Sequence, residues 1–167
     1  MAGPKILQIM RHAKSSHDPR YPTDFERPLN PRGQRDARRM GEWLARRGLL
    51  PDLIVSSPAV RARETAERLI EASGYAGELV FDGRIYGTSV GDPLLEVIAQ
   101  CPDGAGTVML VGHNPALEDL VSTLLGGEVR LATATIACLE LLDETWSEVG
   151  AESGSQLLWL IRPKLLP

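Results

Sequence analysis

Short apolar runs alternate along this chain with longer segments whose apolar residues recur every three to four positions. Runs of this length that are rich in Val, Ile and Leu predict buried β-strands. The last two runs are separated only by a polar stretch, so we expect them to form an antiparallel pair at one edge of the sheet. The apolar runs cover residues 5–10, 53–56, 78–82, 107–111, 135–142 and 156–161.

The segments between these runs have the periodicity of amphipathic helices. Asn30 and Pro31 are typical of a helix start, since Asn caps the N-terminus and Pro suits the first turn. The apolar stripe that follows ends at Gly48, a typical C-terminal residue. We expect Ser57 to cap the second helix. The remaining predicted helices cover residues 58–72, 91–100 and 115–125.

Strands that alternate with helices predict an α/β fold, a three-layer sandwich around a mostly parallel central sheet. A polar loop over residues 13–30, rich in proline and turn-forming residues, follows the first strand. No internal repeat, low-complexity tract or linker divides the 167 residues. The sequence therefore predicts a single domain over residues 1–167.

The composition, with 43% hydrophobic and 24% charged residues, is ordinary for a soluble globular protein. No window approaches the roughly 18 apolar residues that a membrane span needs. The N-terminal residues have no signal-peptide architecture, so we expect a cytoplasmic protein with no membrane partner. Cys101 and Cys138 are then expected to stay reduced and to pack as small apolar residues.

The net charge of −4 conceals an asymmetry between the two halves of the chain. Residues 1–72 hold 14 Lys and Arg against 9 Asp and Glu, whereas residues 73–167 hold 4 against 13. The basic half can supply a positive field around an anionic substrate, although solvated helix faces explain most of its arginines. An acidic chain with few aromatic residues is a poor candidate for binding nucleic acid.

Arginines and histidines follow three of the predicted strands. Arg11 and His12 come at the end of the first run, Arg61 follows the second and His113 follows the fourth. Because the carboxyl ends of parallel strands meet at one edge of a sheet, we expect these side chains to lie together. Arginine forks bind the oxygens of a phosphoryl group, and a neutral imidazole can attack its phosphorus. The sequence predicts His12 as the nucleophile, Arg11 and Arg61 as phosphoryl ligands and His113 as a further donor.

Each of these residues also has a purely structural interpretation. A single histidine after a strand is usually a turn or packing residue. Arg61 and Arg63 share a predicted helix with Glu64 and Glu67, so salt bridges between helical neighbours would explain both. Only one of the two arginines can easily face the sheet edge, and Arg61 is nearer the helix start. The joint placement of these arginines and histidines after three strands favours a catalytic role over a structural one.

Three segments together resemble a known family. They are Met-Arg-His-Ala at 10–13, Ser-Ser-Pro-Ala-Val-Arg-Ala-Arg-Glu-Thr-Ala at 56–66, and Val-Gly-His-Asn-Pro at 111–115. In this order and at these spacings they resemble the signatures of the histidine phosphatase superfamily, over residues of about 5 to 127. The short length and the Arg-Pro-Leu-Asn-Pro-Arg-Gly segment at 27–33 are most similar to SixA-type phosphohistidine phosphatases.

This resemblance implies a minimal phosphoglycerate-mutase-like fold without a cap insertion, and a reaction that needs no metal or other cofactor. It implies that His12 is phosphorylated and that the other three residues named above form the phosphate pocket. Arg27 corresponds to a position near the substrate in SixA-type proteins. Asn114 is a second predicted substrate-binding residue, because the amides of the helix that follows it can support an anion. The sequence leaves open which ring nitrogen of His12 attacks.

The chain departs from the family pattern at two places. Ala13 stands where most members have Gly, which is a mild change. Many members also use a carboxylate as general acid after the third strand, within a longer insertion, whereas residues 83–89 contain no carboxylate here. The carboxylates that could replace it are Asp82 and Asp92 beside that stretch, and Asp18, Asp24 and Glu26 in the first loop.

The missing acid favours a particular substrate. Imidazole is a far better leaving group than an alkoxide, so phosphohistidine on a phosphocarrier or signalling domain needs no strong acid, and an uncapped pocket admits a protein surface. Two alternatives stay open: a small phosphate ester such as a sugar phosphate or nucleotide, and a module that binds a phosphorylated partner without turnover. A metal site built from His12, His17 and His113 is disfavoured, because the nearby arginines would repel a cation.

Overall fold

The computed structural model describes residues 3–87 and 92–167. Within these ranges six strands and four α-helices follow one another in the predicted order. The predicted third helix began at Gly91, which lies outside the described residues. The strands are β1 (Ile6–Arg11), β2 (Leu53–Ser56), β3 (Glu78–Phe81), β4 (Thr107–Gly112), β5 (Ile136–Leu141) and β6 (Ser155–Ile161). The helices are α1 (Pro31–Arg47), α2 (Val60–Ser73), α3 (Asp92–Ala99) and α4 (Ala116–Leu125).

The strands form one sheet in the order β3-β2-β4-β1-β5-β6. The first four are parallel, while β5 and β6 pair antiparallel at one edge as predicted. Arg11 lies opposite Gly112 across β1 and β4, and Ser56 lies opposite Val111 across β2 and β4. This register places the residues that follow β1, β2 and β4 side by side at one edge of the sheet.

Helices cover both faces of the sheet, because the central strands alternate their side chains between two apolar clusters. Val108 and Leu110 of β4 pack in the cluster that contains α3 and α4. Met109 and Val111 of the same strand pack in the cluster that contains α1 and α2. The prediction of a three-layer sandwich with a mostly parallel sheet is confirmed.

Helix α1 begins and ends as the sequence predicts. The side-chain oxygen of Asn30 accepts a hydrogen bond from the Gly33 amide at 2.8 Å, and Gly48 ends the helix with φ of 65°. Gly33 is also needed for a close approach, since a Cβ there would lie 2.1 Å from the carbonyl oxygen of Lys14. The start of α1 is thereby pressed against the residues that follow β1.

The predicted start of α2 is wrong. The helix begins at Val60, and Ser57 does not cap it. The Ser57 hydroxyl instead accepts a hydrogen bond from the Ala59 amide at 3.2 Å, inside a turn that separates β2 from the helix. The same hydroxyl also lies 2.7 Å from the ring of His113, so Ser57 belongs to the site described below.

The loop over residues 13–30 closes on itself beside the sheet edge. The Asn30 amide donates to the carbonyl of Lys14 at 2.9 Å, and the Val60 amide donates to the carbonyl of Phe25 at 3.0 Å. These bonds hold the loop against the starts of α1 and α2. Only the ten residues 82–91 connect β3 to α3, and the expected absence of a large cap insertion agrees with the fold.

Both cysteines are free. Cys138 is buried on β5, and Cys101 is half-buried just after α3. Burial raises the pKa of the Cys101 thiol to about 11 and that of the Cys138 thiol to about 12. Both thiols are therefore protonated at neutral pH, and their apolar surroundings fit the predicted packing role.

Candidate active site

The residues predicted for the site lie around one pocket of about 380 Å³ at the carboxyl edge of the parallel strands. Arg11 ends β1, Arg61 lies in the first turn of α2, and His113 follows β4. The topology therefore brings together residues as far apart in sequence as 11 and 114. The predicted residues that line the pocket are Arg11, His12, Arg27, Arg61, His113 and Asn114.

His12 is held as a neutral ring with one free nitrogen lone pair. Its Nδ1 lies 2.7 Å from the carbonyl oxygen of Ala13, and a carbonyl can only accept, so Nδ1 carries the hydrogen. Nε2 is therefore the basic nitrogen, and it accepts a hydrogen bond from Nε of Arg61 at 3.3 Å. Burial lowers the pKa of His12 to about 3, and the nearby cations act in the same direction. The ring is unprotonated near neutral pH.

Arg61 is buried beside that nitrogen. Its Nη1 donates to the backbone oxygen of Asp24 at 2.7 Å, and its Nη2 donates to the carboxylate of Asp24 at 2.9 Å. The hydroxyl of Thr65 bonds to the Arg61 carbonyl and accepts from the Ala13 amide, which ties the helix to the residue after His12. Arg63, in contrast, is 46% exposed and pairs with Glu67 at 3.8 Å.

His113 lies against His12, with their ring centroids 5.2 Å apart. Its Nε2 is 2.7 Å from the hydroxyl of Ser57. Burial and, to a smaller extent, the charge of Arg61 lower the pKa of His113 to about 4. Sequence analysis missed the role of Ser57, although this residue is the second serine of the Ser-Ser-Pro segment that the family resemblance had already singled out.

The side chains of Arg11 and Asn114 donate hydrogen bonds to the same backbone carbonyl. Nη1 of Arg11 donates to the carbonyl of Leu131 at 3.1 Å, and the side-chain amide of Asn114 donates to that carbonyl at 2.9 Å. Asn114 also donates to Glu118 at 2.9 Å. Burial lowers the pKa of Arg11 while the carboxylate of Glu118 opposes it, and a guanidinium keeps its charge throughout. Arg11 is thus a fixed cation at the pocket wall.

Asp24 is the residue that connects Arg27 to the site. One of its carboxylate oxygens accepts from Nε and Nη2 of Arg27 at 3.1 and 2.7 Å. The other accepts from Arg61 and, at 3.2 Å, from the hydroxyl of Tyr86. Burial alone would raise the pKa of Asp24, but the hydrogen bonds from the two arginines outweigh it and lower the pKa to about 2. The carboxyl group is ionised.

The other candidate acids are placed differently. Asp18 and Asp82 each pair with an arginine two residues further along the chain, at 2.8 and 2.7 Å, and neither lines the pocket. Glu26 bonds to a neighbouring threonine hydroxyl. The side chain of Asp92 lies outside the described residues. Of the candidate carboxylates that the structure does describe, Asp24 lines the pocket.

Two further findings concern ions and membranes. Within residues 3–87 and 92–167, no three His, Cys, Asp or Glu side chains form a group that could hold a metal ion. In the same part of the chain, every helix is too short or too polar to cross a membrane. His17 lines the rim of the pocket with an exposed side chain, apart from the pair formed by His12 and His113.

The fold and the site together define a class of protein: a three-layer α/β sandwich with a pocket of histidines and arginines at the carboxyl edge of its parallel strands. Residues 7–92 match the family model of the histidine phosphatase superfamily (branch 1). The chain belongs to this superfamily. An uncharacterised chloroplast protein of Arabidopsis thaliana is 34% identical over 157 residues, which cover 89% of this chain and 72% of that relative.

Solved structures of SixA type share the whole fold. A protein from Nakamurella, assigned as phosphohistidine phosphatase SixA, is 30% identical with a TM-score of 0.81, over 97% of this chain and 98% of that one. A protein from Agrobacterium tumefaciens with the same assignment is 27% identical with a TM-score of 0.82, over 96% and 99%. These similarities support phosphatase activity and confirm the predicted resemblance to SixA-type proteins.

Proposed function

We propose that this protein is a phosphatase that removes the phosphoryl group from a phosphohistidine on a partner protein, through a phosphorylated His12. The observation that carries the proposal is the state of the pocket. The nucleophilic nitrogen is unprotonated and lies beside two arginines, while the carboxylate that lines the described pocket is already ionised. Among the residues that the structure describes, such a site can accept a phosphoryl group but offers no carboxyl proton to an alkoxide.

The first step is the transfer of the phosphoryl group to His12. Nε2 of His12 attacks phosphorus while the bond from phosphorus to the substrate's imidazole nitrogen breaks and its electron pair returns to that nitrogen. The substrate ring, protonated on its other nitrogen, leaves as neutral imidazole. Arg61, which donates to Nε2 in the free pocket, then turns that donor to a phosphoryl oxygen. The hydrogen bond from Nδ1 to the Ala13 carbonyl stabilises the positive charge that the phosphorylated ring acquires.

The second step is hydrolysis. The oxygen of a water molecule attacks phosphorus, Nε2 of His12 recovers its electron pair, and the water gives up one proton to solvent. In this proposal Arg11 and Arg61, which line the pocket, neutralise the phosphoryl oxygens in both steps, and His113 donates to them as charge develops. His113 can bind a phosphoryl oxygen only by donating an N–H group. The position of its ring proton and the orientation of the ring therefore matter, and both depend on the contact between Nε2 and the Ser57 hydroxyl.

Phosphohistidine fits this pocket better than a phosphate ester does. An alkoxide leaving group needs a proton from a general acid, and the pKa of Asp24, lowered to about 2, leaves it no proton near neutral pH. A phosphohistidine ring can take a proton from solvent on its other nitrogen and then leave as neutral imidazole. Ten residues separate β3 from α3, which is too few for a large cap domain, and this favours a substrate carried on a protein surface.

The test is to trap the intermediate. A phosphocarrier protein that carries radioactive phosphohistidine is mixed with the enzyme, and the enzyme is analysed for an acid-labile label on His12. We expect the label on the wild type and none on His12→Ala. Full activity of His12→Ala would contradict the proposal decisively.

Two arginines of the same helix provide a matched pair of variants. Arg61→Ala removes a buried guanidinium from the pocket, whereas Arg63→Ala removes one that is 46% exposed and pairs with Glu67. We expect the first to lower the dephosphorylation rate by about 100-fold or more, by analogy with the loss of a donor to a developing charge. The second should leave the rate unchanged. Equal rates for the two variants would show that Arg61 does not act on the phosphoryl group.

A substrate panel separates the alternatives. Rates on a sugar phosphate and a nucleoside monophosphate, both with alkoxide leaving groups, are compared with the rate on the phosphohistidine protein. We expect the protein substrate to be preferred by at least about tenfold, since only its leaving group departs without an acid. Comparable rates would indicate a small-molecule phosphatase, and phosphate binding without hydrolysis of any substrate would indicate a recognition module.

A further inference from the structure

Every donor nitrogen of Arg61 already makes a hydrogen bond, which engages three of its five N–H groups. Its Nη1 and Nη2 both donate to Asp24, to the backbone oxygen at 2.7 Å and to the carboxylate at 2.9 Å. Its Nε donates to His12 at 3.3 Å. An anion that binds the outer edge of this guanidinium must therefore displace the carboxylate or share the fork with it.

The carboxylate is held at this position by several contacts. Nε and Nη2 of Arg27 donate to its second oxygen, and the hydroxyl of Tyr86 bonds to its first. Arg27 is anchored in turn, because its Nη1 donates to the hydroxyl of Ser15 at 2.6 Å and to the carbonyl of Ser16 at 3.2 Å. Asp24 is thus fixed by surrounding donors, although its side chain is 53% exposed.

Arg27 acts on the site through this carboxylate. Four of its five N–H groups are engaged with Asp24, Ser15 and Ser16, so little of its hydrogen-bonding capacity is free for a ligand. It is a positioning residue in this arrangement, since it holds Asp24 against Arg61.

We propose that Asp24 competes with phosphate for Arg61, so that the pocket binds free inorganic phosphate weakly and releases it after hydrolysis. The inference rests on the proposed function in one respect, namely that the pocket holds a phosphoryl group. A carboxylate and a phosphate dianion beside one guanidinium repel each other, and the partly buried site screens this repulsion less than water does.

The same competition discriminates between substrate and product. A phosphohistidine on a protein brings contacts from the surrounding protein surface, which add binding free energy that free phosphate lacks. The penalty that Asp24 imposes on the anion is therefore offset for the substrate and not for the product. Arg27 and Tyr86 keep this penalty in place by holding the carboxylate in the pocket.

The test is the affinity for inorganic phosphate, measured by isothermal titration calorimetry near pH 7.5 without any substrate. Asp24→Asn keeps the size of the side chain and an oxygen for Arg61 but removes the charge. The matched control is Asp18→Asn, which makes the same change in net charge at a carboxylate paired with Arg20 outside the pocket lining. Asp24→Ser, a second neutral variant, checks that the effect comes from the charge.

We expect both Asp24 variants to lower the Kd for phosphate by about tenfold, and the control to leave it within about twofold. An unchanged Kd in Asp24→Asn, or no phosphate binding by any variant, would overturn the inference. A higher Kd would overturn it as well, because it would mean that Asp24 only orients Arg61. An equal decrease in the Kd of Asp18→Asn would assign the effect to net charge alone and would also overturn the inference.

This binding experiment is independent of turnover. If the label fails to appear on His12 but the Kd falls in the Asp24 variants, the competition stands and the proposed reaction is wrong. If the label appears and the Kd does not fall, the reaction stands and the competition is wrong.

Discussion

Two histidines of the pocket are held neutral by burial, and this predicts a loss of stability on mild acidification. The pKa is lowered to about 3 for His12 and to about 4 for His113. In the unfolded chain both rings should titrate near the ordinary value of about 6.5. As the pH falls from about 6.5 towards 4, the unfolded state binds more protons than the folded state, so the free energy of unfolding decreases. Above about pH 6.5 these two rings make no pH-dependent contribution.

The magnitude follows from the same values. Between pH 7 and pH 5, each histidine should lower the free energy of unfolding by about 2 kcal/mol, and both together by up to about 4 kcal/mol. Aspartates do not obscure this range. The pKa values of Asp18, Asp24 and Asp82 are lowered by hydrogen bonds from arginines, so their contribution is lost only as the pH falls below about 4.

The assay is urea unfolding at pH 7, 6 and 5 for the wild type, His12→Gln and the double variant with His113→Gln. Each protein is compared with itself at another pH, so the packing cost of the substitution cancels. We expect the decrease in the free energy of unfolding between pH 7 and pH 5 to halve in His12→Gln and nearly to vanish in the double variant. A wild-type decrease below about 0.5 kcal/mol, or an equal decrease in the double variant, would refute the reasoning.

Two further predictions concern the walls of the pocket. Gly33→Ala should destabilise the protein by about 2 kcal/mol or more, because the added Cβ would lie 2.1 Å from the carbonyl oxygen of Lys14. The control is Gly83→Ala, because a Cβ at that position has no atom within 4 Å. Similar urea midpoints for the two variants would contradict the close approach. Ser57→Ala should cost about 1 kcal/mol, because it leaves Nε2 of half-buried His113 without its partner. An unchanged free energy of unfolding would show that this contact is dispensable.

Much of the fold could be predicted from the sequence because its signals are local. Asn30 and Gly48 bound α1 through side-chain and backbone preferences that do not depend on the rest of the chain. The meeting of Arg11 with Arg61 and His113 was also predictable, since parallel strands align their carboxyl ends. The start of α2 was not, because Ser57 bonds to a histidine 56 residues away and a local capping rule does not include such a partner.

The sequence by itself thus predicts which residues follow each strand and that they meet at one edge of the sheet. Hydrophobic periodicity locates the strands, and parallel strands align their carboxyl ends. Only the tertiary structure decided that Asp24 enters the pocket, that Arg27 bonds to it, and that Nε2 of His12 is the basic nitrogen. The reason is physical. The loop over residues 13–30 has no periodicity, and its path depends on backbone hydrogen bonds to distant residues such as Val60.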